Sequence, residues 1–259
     1  MFRGDTIYAT NLPWNYLPVW IAITTPVPYL LLFLIGILFI SYTSLCAPLN
    51  LIFYKKEQQL LLICSILTLT VVIIFKSVVY DGWRHVFFIY PSVIIILLYG
   101  LIVLYKWSRK KKELMMLGLS LLIGYNLVTM MRLHPHEYVY FNIFAGKNMN
   151  EVKKKFELDY FGVSSKEALE VILKNDTSAV ISMYPEHYPQ EINIDFLPKE
   201  QRDRIKLTAF KDATYFIAQP RSGKDYNFEK EVFSVFVGNA SIMSVFELTE
   251  NDKMKNKQL

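Results

Sequence analysis

Cysteine is scarce: Cys46 and Cys64 are the only two in 259 residues. Both lie in or beside apolar runs and neither has a neighbour at metal-ligand spacing, so no disulfide framework is implied and the thiols read as small packing residues. A basic stripe interleaved with aromatics is also missing. The formal charge is +5, but the lysines and arginines gather at the ends of apolar runs and in the tail, which argues against nucleic acid as a partner. No cleavable leader is expected either, because Met1 runs into Phe2-Arg3-Gly4-Asp5 and then a Pro- and Trp-rich segment. Insertion is therefore expected to rely on the helices themselves. No internal repeat is evident.

Charge is almost absent from four long stretches in the first half, and those stretches organise the chain. A helix needs about 20 mostly apolar residues to cross a bilayer core. Val27 to Thr43, Gln58 to Phe75, Val86 to Tyr105 and Leu114 to Met131 meet that ruler. The intervals are too short for folded domains, so the four are expected to pack as an antiparallel all-α membrane bundle over residues 27–131. Lys55-Lys56 follows the first stretch, and Lys106 with Arg109-Lys110-Lys111-Lys112 follows the third. Basic residues resist translocation, so these loops are assigned to the cytoplasm. Residues 1–26, the loop Tyr80 to His85 and everything after Met131 then face outward, with both termini extracytoplasmic. Ionisable residues in the middles of the runs are too few for a transporter or channel.

After Arg132 the polarity becomes mixed, and residues 132–250 read as a small α/β or α+β extracytoplasmic domain. Ser164 and Glu167 have capping-box spacing ahead of Ala168, Leu169, Ile172 and Leu173, which predicts a helix. Thr177 to Met183 and Ala213 to Ala218 read as strands, and Val232 to Val237 with Ser241 to Leu248 as a hairpin about Gly238-Asn239. The polar tail, residues 251–259, is expected to be disordered.

Three clusters carry candidate chemistry. Tyr80-Asp81-Gly82-Trp83-Arg84-His85 packs an acid, two aromatics, a guanidinium and an imidazole beside the membrane. Arg84 can hold a phosphate through paired hydrogen bonds, and the aromatics can line an isoprenoid chain or stack on a sugar. Spacing alone slightly favours the plainer reading, an interfacial belt in which Trp and Tyr sit at headgroup level and Arg snorkels. His134 and His136, two apart, share a face as a metal site would need, but Pro135 lies between them and no third ligand is clear. We expect a collar there and no metal. Pro13, Pro18 and Pro26 around Trp14, Tyr16 and Trp20 are expected to prevent a regular helix, leaving an interfacial or re-entrant segment. Asp81, Glu137, Glu157 and Asp159 are the acids nearest these clusters, unranked as bases.

Read in order, Leu12-Pro13-Trp14-Asn15-Tyr16-Leu17-Pro18 with Thr24-Thr25-Pro26, Tyr80 to His85 with Tyr90-Pro91, His134-Pro135 with Tyr138 and Tyr140-Phe141-Asn142, and Glu157-Leu158-Asp159-Tyr160-Phe161-Gly162 resemble the C-terminal half of bacterial C-type polytopic glycosyltransferases. These are similar to the protein-mannosyltransferase and aminoarabinose-transferase families. The resemblance implies a multi-pass protein of the bacterial inner membrane that transfers a sugar from a polyisoprenyl-phosphate carrier at the outer face. It makes Arg84 and His85 phosphate-side residues, in a substrate-binding loop completed by Tyr80, Asp81 and Trp83. It also implies a carboxylate base and, in a complete enzyme, often a divalent cation. Family members carry the essential acid in an N-terminal module that has no counterpart here, so a portion is expected that works with a separate N-terminal catalytic subunit or comes from a truncated gene. The competing expectation is a non-catalytic, membrane-anchored module that binds a partner or an envelope polymer.

The orientation is open to test in intact cells, in a background where Cys46 and Cys64 are alanine. A cysteine at Ser222 is expected to react with an impermeant maleimide and one at Ser108 is not; the reverse pattern overturns the assignment.

Overall fold

The computed structural model describes residues 1–46, 52–108, 111–219 and 226–255. These residues are helical with one mixed five-stranded sheet, and they fall into two compact units. The helical unit comprises Ile7–His134 and Tyr140–Ala145. The sheet unit comprises Met1–Thr6, Pro135–Val139 and the chain from Gly146 onward.

In the helical unit the order is α1 (Tyr16–Thr24), α2 (Val27–Cys46), α3 (Ile52–Ile74), a 3-10 stretch Arg84–Ile89 leading into α4 (Tyr90–Trp107), and α5 (Lys112–Leu133). The proline-dense segment is helical, contrary to expectation. Pro18 is the third residue of α1 and Pro28 the second of α2, where the missing N–H has no helical acceptor in any case. The break falls at Thr25, whose extended backbone (φ −101°, ψ 133°) is what a following proline favours.

Arg84–Trp107 and Lys112–Leu133 are long and apolar enough to cross a membrane, whereas Val27–Thr43 and Ile63–Ile74 are shorter apolar helices. Lys55 and Lys56, expected in a loop, lie within α3, because helical hydrogen bonding continues past the apolar stretch. Arg109 and Lys110 of the other basic loop lie outside the described residues.

The pairing of α2 with α4 is set by two glycines. A Cβ on Gly36 would stand 2.0 Å from the Ile96 carbonyl oxygen, and one on Gly100 would stand 2.0 Å from that of Leu32. Backbones this close admit no side chain, as at the small-residue crossings of membrane helices. By contrast α5 has no buried residue.

The sheet unit contains α6 (Met149–Lys155), α7 (Ser165–Asn175), β1 (Ile181–Pro185), α8 (Tyr188–Asp195), α9 (Lys199–Arg202), β2 (Ile205–Leu207), β3 (Tyr215–Ala218), β4 (Glu231–Val237), β5 (Ala240–Glu247) and α10 (Glu250–Lys255). The strand order is β2-β1-β3-β5-β4. β1 pairs in parallel with β2 and β3, and β5 pairs antiparallel with β3 and β4. Partners across the sheet share a face. Tyr184, Phe216 and Phe246 are register partners and join Phe210, Tyr226 and Phe228 in an aromatic core. Pro185, Ile217 and Val245 point the opposite way. Buried Ala168, Leu169, Ile172 and Leu173 of α7 pack toward β4 and β5. The Arg204 guanidinium donates to the carbonyls of Leu173, Asp176 and Ser178, satisfying oxygens that the end of α7 leaves open.

The expected helix after Ser164 forms, but not through the expected box. Ser164 makes no side-chain cap; its hydroxyl donates to Asp159. A reciprocal box occurs at Thr249 and Asp252, where Asp252 N–H donates to Thr249 Oγ1 (3.2 Å) and Thr249 N–H to Asp252 Oδ2 (3.1 Å). It starts α10 within the expected disordered tail, with Asp252 buried. Residues 256–259 lie outside the described residues. The hairpin turns at Gly238, whose φ of +60° suits glycine.

Gly36→Ala and Gly100→Ala are each expected to cost about 1–3 kcal/mol by overpacking. Gly118→Ala and Gly124→Ala, whose Cβ atoms would meet open space, gain up to about 1 kcal/mol from helix propensity. Melting in detergent checks this, and equal melting of all four variants contradicts the close approach.

Candidate functional site

The loop Tyr80 to His85 is shaped by backbone before side chains. Lys76 (φ 48°), Asp81 (φ 53°) and Gly82 (φ 75°) turn the chain through the left-handed region between α3 and the 3-10 stretch. The Trp20 indole packs alongside Gly82, 3.6 Å from its ideal Cβ position. The Gly82 N–H donates to Tyr16 Oη (3.2 Å) and the Trp83 indole N–H to Thr24 Oγ1 (3.0 Å). Thr24 in turn donates to the Trp20 carbonyl (2.7 Å). The loop is thus fastened to α1 at two points.

Four of the five expected site residues form one group. Arg84 Nη2 lies 2.8 Å from Asp81 Oδ2, and the guanidinium stands over the Tyr80 ring, 4.9 Å from its centroid. The Tyr80 ring meets His85 edge to face at 4.5 Å. Tyr80 and His85 are exposed, while Arg84 keeps part of its surface in solvent. Trp83, by contrast, is buried against Phe87 and Tyr90 and serves as the pillar of the loop. The chemistry on offer is anion binding by a guanidinium held flat by a ring and a carboxylate, with aromatic surface beside it. An incoming phosphate has to share Arg84 with Asp81 or displace it.

Asn142 holds the other side of this assembly. Its amide donates to the carbonyls of Ala22 and Thr25 (2.6 Å each), its backbone N–H donates to Ile23 (2.8 Å), and its side-chain oxygen accepts from Phe144 N–H (2.9 Å). Phe141 lies against Trp20, with centroids 5.9 Å apart. The structure therefore gathers Tyr16, Trp20, Thr24, Gly82, Trp83 and Asn142, up to 126 positions apart in sequence. Sequence reasoning missed Tyr16 and Thr24 as anchors. Their signal was the i, i+4, i+8 spacing of Tyr16, Trp20 and Thr24 on one helix face.

In the sheet unit, Asp159 is buried and its carboxylate accepts from Tyr138 Oη (2.7 Å), Val163 N–H (3.1 Å), Ser164 N–H (3.2 Å) and the Ser164 hydroxyl. Burial, and then the Asp159 charge, hold the Tyr138 phenol far above its usual range. A carboxylate with that many donors is an organising centre of its loop. His136 is buried with Nε2 3.0 Å from Glu167 Oε1. His134 belongs to the helical unit and His136 to the sheet unit. No group of three or more His, Cys, Asp or Glu placed to hold a metal occurs among the described residues.

No family model, curated protein or solved structure matches this chain.

Asn142→Asp, nearly isosteric, sets carboxylate oxygens against two carbonyls, whereas Asn142→Ala only removes bonds. The aspartate variant is expected to lose about 3 kcal/mol or more and the alanine variant about 2 kcal/mol. Melting in detergent decides; an aspartate variant as stable as the parent rules out the staple.

Proposed function

We propose that this chain is the C-terminal portion of a multi-pass glycosyltransferase that takes a sugar from a polyisoprenyl-phosphate carrier at the outer face of a bacterial inner membrane. One observation carries the reading: residues from three of the separated motifs behind the resemblance meet around a single loop that displays Arg84. In this proposal α2 and α3 cross the membrane along with α4 and α5, completing a four-helix bundle with the sheet unit outside. Arg84 and His85 face the donor phosphate, Tyr80 lines the carrier, and Asp81 holds the guanidinium in position until phosphate arrives.

The catalytic base is assigned to a separate N-terminal module. Asp81 is engaged by Arg84 and Asp159 by four donors, and neither is then available to deprotonate an acceptor. That engagement equally favours a second reading, a membrane-anchored module without catalysis that binds a partner or an envelope polymer. The chain alone then transfers no sugar under either reading, but only the first binds donor.

Binding of farnesyl phosphate to the purified chain in detergent separates them. Arg84→Ala and Arg84→Lys are both expected to lose about 1.5–3 kcal/mol, roughly ten- to a hundred-fold in affinity, because lysine keeps the charge but not the planar fork. If Arg84→Lys binds as the parent does, with unchanged melting, the phosphate role fails and the loop is an interfacial belt.

A further inference from the structure

Within the helical unit a partly open groove of ≈ 780 Å³ runs between α5 on one side and α2 and α4 on the other. Its walls include Leu32, Ile35, Leu101, Leu104, Leu119 and Leu122. At one end stand Tyr125, Tyr140 and Asn142. Near that end α5 is tied to α2 by the Asn126 amide donating to Tyr29 Oη (2.6 Å). With no buried residue along its length, α5 is set apart from its neighbours by the groove. Its walls are apolar, so covering them with apolar groups instead of water is favourable.

Dimensions and chemistry narrow what fills it. From Met115 to Tyr125 the groove follows eleven residues of α5, about 15 Å at the helical rise, which is one leaflet of a bilayer core about 30 Å thick. The volume falls in the range of small-ligand sites. No lysine or arginine is among the lining residues, so nothing in the wall matches a phosphate, and the phosphate-side arginine of the proposed donor site, Arg84, is not part of it. The Asn142 amide is already committed to Ala22 and Thr25. That leaves the two tyrosine hydroxyls at the mouth, which suit an ester carbonyl.

We propose that this groove is a built-in phospholipid site, in which one acyl chain lies between α5 and the α2–α4 pair with its ester region at Tyr125 and Tyr140. The bound chain supplies the packing that α5 lacks from protein, so α5 is seated on the bundle through lipid. This goes beyond the donor reading and rests only on the membrane-spanning part of it.

The test uses Gly118 and Gly124. Both face open space, but only Gly118 lines the groove. The purified chain is exchanged into detergent with palmitoyl-oleoyl phosphatidylethanolamine, washed, and weighed by native mass spectrometry. The parent and Gly124→Phe are expected to retain one lipid, and Gly118→Phe to retain at least ten-fold less while melting no lower than Gly124→Phe. Farnesyl phosphate in excess is expected to leave the lipid in place. Arg84→Ala is expected to retain it too, so that failure of the donor site and failure of the lipid site read out separately. Equal retention by Gly118→Phe, no retention by the parent, or displacement by farnesyl phosphate each overturns the proposal.

Discussion

The helical unit depends on how it resolves one backbone break. Thr25-Pro26 separates α1 from α2, and the broken ladder leaves the carbonyls of Ala22, Ile23 and Thr25 without helical donors. In an apolar surrounding such oxygens are costly. Asn142 answers all three, with its side-chain amide and its own N–H. Once α1 is held in this way, its Tyr16–Trp20–Thr24 face receives Gly82 and Trp83. Arg84 follows directly from that turn, and Asp81 and Tyr80 fix its guanidinium. The display of a cation at the Tyr80 to His85 loop is thus a consequence of satisfying three carbonyls elsewhere.

Two kinds of closeness shape the bundle. At Gly36 and Gly100 the backbones of α2 and α4 come near enough that glycine is required, which leaves dispersion and weak Cα–H···O contacts as the source of attraction. Along α5 the opposite holds: a largely apolar helix with no buried residue faces an apolar groove and is tied to α2 by the Asn126 amide near one end. The sheet unit is held by side-chain packing and buried hydrogen bonds. Its aromatic core fills one face of the sheet, α7 lies toward the hairpin strands, and buried Asp159 gathers donors from its own loop and from Tyr138.

Capping shows how far local pattern reaches. Ser164 and Glu167 have the spacing of a box and do not form one, because Asp159 offers the Ser164 hydroxyl a charged acceptor. Thr249 and Asp252 have the same spacing and do form one, in a stretch whose polarity suggested disorder. The two sites differ in which acceptor stands nearby, and the spacing carries no information about that. The prolines of α1 and α2 teach a similar lesson, since their effect depends on whether they fall in the first turn or later.

By itself the sequence determined the long apolar helices, the hairpin about Gly238, the helix carrying Ala168 to Leu173, and the grouping of Tyr80, Asp81, Arg84 and His85, because these depend on neighbours within a few positions. Tertiary structure decided that Trp83 turns inward while Arg84 stays partly exposed, that Asn142 rather than a proline loop governs α1, that Gly36 and Gly100 meet, and that α5 stands off behind a groove. Each of those follows from which donors, acceptors and surfaces are brought together from distant parts of the chain. Periodicity fixes which face of a helix is apolar, but only packing fixes what that face meets.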